Sequence, residues 1–420
     1  ATDVADRHCA YYTAALKRWE VDLRGSRQQE ALAEMEEEIG NISAAWTWAV
    51  ERGQVERLDR AMEGFQEFYW NSGRLREAET PLQAAAAAAA AAAAQGADDR
   101  ATCLRVQVRA LAWLSQFQRL TSQWDAARQL QQQCVAILQD PALAESDTRL
   151  ERAILSWSMG FAFVTAAVYA QGKQHTEESY SLFRELGHQW GMAWTLYGLG
   201  IQSRYRGDYE EARQRFEEGL AINRALGNQS GVAYHVSRLS RTAWRQGRFA
   251  EAERLAREGV ATALEVGSRA RPAFPLMNLG EVLEKVGKFT EARSLLQQSL
   301  ELYTDLGRRN YISSSHTLLG SVTLHMGRYE EARDLAQTGL NLAREHGPWF
   351  YSGLSLLLLG CLELAPGNAC HGASAFRGER RLLPGGGPQR RSRYGGRLPR
   401  HGRPWVGGQA RGPAAPLPCP

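Results

Sequence analysis

From residue 191 onward the apolar positions fall in helical steps, and the whole pattern returns every 40 residues. A Leu followed by a small residue recurs at Leu199-Gly200, Leu239-Ser240, Leu279-Gly280, Leu319-Gly320 and Leu359-Gly360. Gly207, Gly247, Gly287 and Gly327 follow, each two residues before an aromatic at Tyr209, Phe249, Phe289 or Tyr329. Three residues further stand Ala212, Ala252, Ala292 and Ala332, and Gly227, Gly267, Gly307 and Gly347 close the units. Four complete units fill 191–350 without a slip. A fixed period of this length marks a stack of supersecondary units. Each unit reads as a helix hairpin. The small residue after Leu lets the two helices approach, and the turn Gly accepts positive φ where the first helix ends. The aromatic is expected to wedge between the helices and the Ala to sit at their crossing. Ala212, Phe216 and Leu220 then continue one face of the second helix.

Upstream the pattern loosens. Gly160 and Gly187 keep the register, the turn glycine between them is missing, and Gly172-Lys173-Gln174 is expected to replace it. Trp124-Asp125-Ala126-Ala127 resembles the turn and crossing alanine of another unit. Gly73 to Ala78 opens a further second helix that runs into the alanines at 84–94. Alanine is the best helix former, so this run reads as low-complexity drift within a helix; a placeholder for unassigned side chains is the other reading. The chain divides into a helical arm (1–72), divergent repeats (73–190), regular repeats (191–365) and a Gly/Pro/Arg-rich tail (366–420).

The Leu-Gly pair and the Gly-x-Tyr/Phe-x-x-Ala run resemble the tetratricopeptide repeat family residue by residue. The family's usual unit has 34 residues; a period of 40 implies longer helices, as in bacterial regulator sensors. The resemblance implies an all-α, right-handed superhelical solenoid whose work is binding. A second resemblance lies in Arg7-His8-x-x-Tyr11-Tyr12, Leu23-Arg24-Gly25 and the run from Glu37 to Ala49. It is similar to the helical arm before the repeat sensor of bacterial signal-transduction ATPases with numerous domains, of the maltose-regulator and antibiotic-regulator kinds. The alternative is ordinary hairpin packing of the same side chains. In that family a nucleotide-binding domain and a winged helix precede the arm, and the chain, opening at Ala1, reads as a piece of a longer protein. No G-x-x-x-x-G-K-[ST] loop occurs, so no cofactor is expected on this chain, and ATP belongs only to an upstream ATPase domain.

Charge changes the picture at one end. Residues 366–420 hold ten Arg, one Glu, 12 Gly and nine of the 14 Pro, a net of +9 that leaves −5 for the rest. A mildly acidic body gives no ground for direct nucleic-acid binding. The tail reads either as a disordered basic segment or as another repeat in a shifted frame. From Pro366, taking the last two bases of each codon with the first of the next permits REMPATARALFEESVVYYREAG. At the 40-residue offset this string repeats Ala332, Arg333, Leu335, Arg344, Glu345 and Gly347. The six cysteines form no C-x-x-C pair or zinc spacing, which fits reduced thiols in a cytoplasmic protein. No apolar run approaches the roughly 20 residues that span a bilayer, and no membrane partner is expected.

No H-E-x-x-H, G-x-S-x-G or acid–base pair stands out, so neither catalytic nor metal-binding residues are expected and the chain does not read as an enzyme. His235, His316 and His325 read as packing residues. Solenoids of this type line an inner groove with their first helices. Counting from each Leu-Gly pair places Trp157, Phe161, Trp194, Tyr197, Arg204, Tyr205, Tyr234, Arg241, Trp244, Arg245, Phe274 and Glu281 there. Aromatic walls with several Arg suit a peptide, a protein or a small anionic inducer. Equally, the aromatics can pack between neighbouring first helices while the Arg pair with local Glu. The leading functional expectation is a sensor module that regulates a linked ATPase or transcription regulator; the rival is a free-standing scaffold joining protein partners. Resequencing the gene across codons 360–370 is expected to reveal a frame change, and an intact frame would sink the shifted-repeat reading.

Overall fold

The computed structural model describes residues 2–96, 99–165, 168–268, 270–346 and 349–364, so both readings of the tail lie outside the described residues. Ala1–Leu356 form one compact unit; of the second, Leu357–Pro420, only the stretch to 364 is described. The described residues are helical throughout, with no strand. Four helices form the N-terminal part: α1 (Thr2–Leu23), α2 (Gln28–Glu37), α3 (Ile39–Glu51) and α4 (Val55–Ser72). Then come α5 (Glu79–Ala94), α6 (Arg100–Leu120), α7 (Trp124–Ile137), α8 (Arg149–Thr165) and α9 (Tyr169–Glu185). The regular repeats supply α10 (Gln189–Tyr205), α11 (Tyr209–Leu226), α12 (Gln229–Arg245), α13 (Phe249–Glu265), α14 (Ala273–Lys285), α15 (Phe289–Asp305), α16 (Arg309–His325) and α17 (Tyr329–His346). The last is α18 (Trp349–Glu363). From α8 to α17 consecutive helices pack as hairpins. The even-numbered helices from α4 to α16 also touch one another in series, forming a continuous inner layer.

The repeat marks act largely as their chemistry requires. A Cβ at Gly200 would lie 2.5 Å from the Phe216 ring, so the hairpin closes only around glycine there. Gly207 takes φ +85° at the end of α10, in the left-handed region that favours glycine. Ala212, Ala252, Ala292 and Ala332 are fully buried at the crossings. The aromatics after each turn do not wedge between the helices. Phe249 is 45% and Tyr329 40% exposed. Phe289 instead stacks on His325 of the next hairpin, with centroids 5.3 Å apart. Standing at the first position of its helix, such a side chain reaches only the rim of the hairpin.

A second correction concerns Gly172-Lys173-Gln174. It lies inside α9, and the break falls before Tyr169. Tyr169 stands 40 residues before Tyr209, so the register persists and Gly172 occupies the crossing-alanine place. Close packing there is direct: a Cβ at Gly160 would lie 3.3 Å from the Gly172 carbonyl oxygen. The alanine run forms most of α5; Ala85, Ala86, Ala89 and Ala93 are buried along one side.

Outside, ion pairs tie second helices of adjacent units: Arg224–Glu258 at 3.2 Å, Arg257–Glu291 at 2.9 Å and Arg293–Glu331 at 2.5 Å. Each is at least partly exposed, so each stabilises little by itself.

The N-terminal helices run along the loops of the array. Arg24 Nη1 approaches His188 Nε2 at 3.4 Å, in the loop before α10. The Gln28 side chain accepts from the Ser230 amide at 3.1 Å and meets Asn228, at the start of α12. Ser268 Oγ donates to the Asn71 carbonyl at 2.7 Å, and Arg271 donates to the Asn71 side chain and the Trp70 carbonyl, before α14. Arg76 lies beside Gly307, before α16. Four successive inter-repeat loops are thus engaged by residues 24–76.

At the head of this seam Arg24 is buried with three carboxylates: Glu20 at 2.5 Å, Glu67 at 2.9 Å and Glu63 at 3.1 Å. Its guanidinium lies 4.7 Å from the Trp190 ring centroid, and Trp113 Nε1 donates to Glu63 at 3.3 Å. Burial pushes the Glu63 carboxyl up to about 7, against the pull of Arg24. Burial, reinforced by Arg24, drops the His188 imidazole to about 4.

Two outcomes follow in denaturant titrations. Phe216→Ala, at a fully buried crossing, should cost about 3–5 kcal/mol, whereas Phe249→Ala at the exposed rim should cost less than about 1 kcal/mol. Because the folded chain raises the Glu63 pKa from 4.5 to about 7, its contribution is full below pH 4.5 and is lost as pH rises through 7. Across that window wild type should lose stability relative to Glu63→Gln, on the order of 1–3 kcal/mol.

Candidate functional site

The Leu-Gly register puts equivalent side chains of α8, α10, α12 and α14 in rows across the inner layer. The aromatic row is continuous. Trp194 and Tyr234 have centroids 5.6 Å apart, and Tyr234 stacks on Phe274 at 5.6 Å with planes 12° apart. Trp157 meets Phe161 edge-on at 5.8 Å, and Phe161 lies 6.3 Å from Tyr197. The N-terminal helices close the inside of this row: Trp70 of α4 lies 5.9 Å from Trp157 and 5.8 Å from Trp194. Trp157, Trp194, Tyr197 and Phe274 are therefore buried, while Phe161 and Tyr234 are half-buried. Edge-on and offset contacts of this kind add to the burial of the rings. This part of the expected groove is packed core.

One turn further along, the row becomes cationic. Arg241 of α12 reaches Glu281 of α14 at 2.8 Å, a pair set by identical positions in adjacent units. Arg204 is buried, with Cζ 4.5 Å from the Tyr205 ring centroid. Burial lowers its guanidinium to about 10; Arg241 and Arg238 push the same way, while Tyr205 opposes them. Tyr205 is 37% exposed. Its phenol is lowered, because Arg204, Arg241 and Arg238 outweigh the desolvation that would raise it. Trp244, half-buried, lies between two cations: Arg245 Cζ is 4.2 Å and Lys285 Nζ 5.8 Å from its centroid. The exposed members, Tyr205 and Arg245, with the half-buried Arg241 and Trp244, form the open end of the site.

Several participants escaped the sequence reading. Arg238 stands directly before Leu239 in the repeat register, a readable signal. It donates through Nε to Tyr197 Oη at 2.8 Å and lies 4.4 Å from the Phe274 centroid. Asn278 holds the same place one unit later; it is fully buried, and neither amide heteroatom has a hydrogen-bond partner. Trp70 had no such signal, because it comes from an irregular helix over a hundred residues away. His235 is buried, its Nδ1 2.9 Å from the Gly231 carbonyl oxygen, and burial lowers it to about 4. It packs rather than faces an opening. Among the described residues no group of three His, Cys, Asp or Glu gathers as a metal site, and no helix is long and apolar enough to cross a membrane. Along the seam a cleft of about 600 Å³ opens between Gln29, Leu32 and Arg74 on one side and Val266, Leu302 and Leu306 on the other.

Comparison with curated proteins finds no match. A tetratricopeptide repeat model matches residues 191–265 and 271–365. Among solved structures, the chain is similar to a signal transduction ATPase with numerous domains, bearing a tetratricopeptide repeat sensor, from Pyrococcus horikoshii. The TM-score is 0.52 at 14% identity, over 87% of this chain and 53% of that one, so the match spans about half of that protein. It is similar to a Rap protein complexed with competence and sporulation factor, with a TM-score of 0.51 at 9% identity over 86% and 97% of the chains. It is also similar to NprR in complex with its cognate peptide NprX, with a TM-score of 0.50 at 14% identity over 66% and 79%. The chain thus carries tetratricopeptide-type repeats in an all-α solenoid.

Proposed function

We propose that this chain is the sensor module of a larger regulator, in which an inducer on the inner face of α10, α12 and α14 controls a linked signal-transduction ATPase. The observation that carries this reading is the seam. Residues 24–76 engage the loops before α10, α12, α14 and α16, from His188 to Gly307. A change in the spacing of those loops would have to be matched by the N-terminal helices that contact all four. A ligand that prefers one curvature therefore shifts the population of arm positions, in proportion to its differential affinity for the two states. In the resemblance described above, the arm is the element that follows the ATPase.

The similar folds support the inducer class. NprR is described with a cognate peptide and Rap with competence and sporulation factor, and a peptide suits the cationic open end formed by Tyr205, Arg241, Trp244 and Arg245. The coding sequence upstream of Ala1 is expected to contain a G-x-x-x-x-G-K-[ST] loop and a winged helix; an upstream sequence with neither leaves the scaffold reading in its place.

A further inference from the structure

We infer that the open end of the inner face, between α10, α12 and α14, is an oxyanion-binding site with Arg204 as its floor and Arg241, Arg245 and Lys285 around Trp244 as its rim. This rests on the sensor reading and specifies the chemistry of the inducer: it presents a carboxylate or phosphate group to this end of the site.

Charge balance is the first argument. Arg204, Arg238, Arg241, Arg245 and Lys285 stand together on three adjacent helices. The carboxylates paired with this group are Glu281, 2.8 Å from Arg241, and Glu284, 3.4 Å from Lys285. Glu284 is also engaged by His325 at 3.3 Å and by Ser321. Arg204 and Arg238 are 7% and 8% exposed; Arg238 donates to Tyr197 Oη, and Arg204 hydrogen-bonds Tyr205 and feels Glu281, which is already paired with Arg241. A buried cation held by a phenol and a shared carboxylate is costly, and one that lies within reach of two further guanidinium groups is more so. An incoming anion relieves that repulsion.

Unused donors are the second argument. Nε of Arg204 and Nε of Arg241 are buried without a hydrogen-bond partner, although buried donors are nearly always paired. A guanidinium with a free Nε edge presents the fork that matches two oxygens of a carboxylate or phosphate. Access is the third. Arg241 and Lys285 have 19% and 27% of their side chains exposed, and Tyr205 and Arg245 are exposed. An anion can thus enter at the rim, compete with Glu281 for Arg241 and settle above Arg204. The aromatic row beyond it, from Trp194 to Phe274, is already packed, so the anionic group marks the end of the ligand that binds here.

The test is calorimetric titration of the full chain with inorganic pyrophosphate in one arm and succinate in the other, at low and high salt. Saturable binding of either supports the site, and the arm that binds distinguishes phosphate from carboxylate. Arg241→Gln with Arg245→Gln, made together with Glu281→Gln so that no buried carboxylate is left unpaired, should keep the fold, with an unchanged far-ultraviolet spectrum. It should bind at least about tenfold more weakly, the loss expected when charge-assisted hydrogen bonds are removed. Arg204→Met should abolish binding where it folds. Undiminished binding by the rim variant places the anion elsewhere and overturns the proposal. So does absence of binding in both arms. If an amidated, uncharged peptide pool still protects α12 and α14 from hydrogen exchange, the anion site fails while the sensor reading stands; if the upstream gene also lacks the ATPase motifs, both fail.

Discussion

The structure depends on one constraint: a buried guanidinium, Arg24, that must be neutralised by side chains from two N-terminal helices while it touches the loop of a repeat far along the chain. Glu20 comes from α1, which ends just before Arg24, and Glu63 and Glu67 from α4; His188 and Trp190 come from the array. Leaving such a charge unpaired costs several times what an exposed pair contributes. The node therefore fixes α1 against α4 and both against α10. Beyond that node Gln28 meets the start of α12, and Asn71 the approach to α14. The N-terminal helices and the array thus share one set of buried polar contacts.

Much of the array was legible because repetition turns weak signals into strong ones. Gly200 and Ala212 mean little alone; at a 40-residue period they define a hairpin that closes on Phe216. Reading failed where a local cue outweighed the period. Gly172 looked like a turn, yet Tyr169 kept the register and the glycine served close packing instead. The rim aromatics failed for a different reason. Their spacing is regular, but spacing does not say how deep the first residue of a helix sits, and Phe249 remains nearly half exposed.

The site divides along the same line. That Trp194, Tyr234 and Phe274 share a face follows from counting, and the structure places them in a row. That the row is already filled does not follow, because the filler is Trp70, an arm residue with no repeat register. The pairing of Arg241 with Glu281 was readable, since both occupy one position in adjacent units. That Arg204 turns to Tyr205 was not, because it depends on which groups the tertiary fold brings near.

The ion pairs on the outer side of the array, Arg224–Glu258, Arg257–Glu291 and Arg293–Glu331, have a mechanical meaning. They tie each second helix to the next along the outside of the array. Salt screens them while leaving the buried aromatic row nearly untouched. Ionic strength thus acts on the ties between units more than on the core within them.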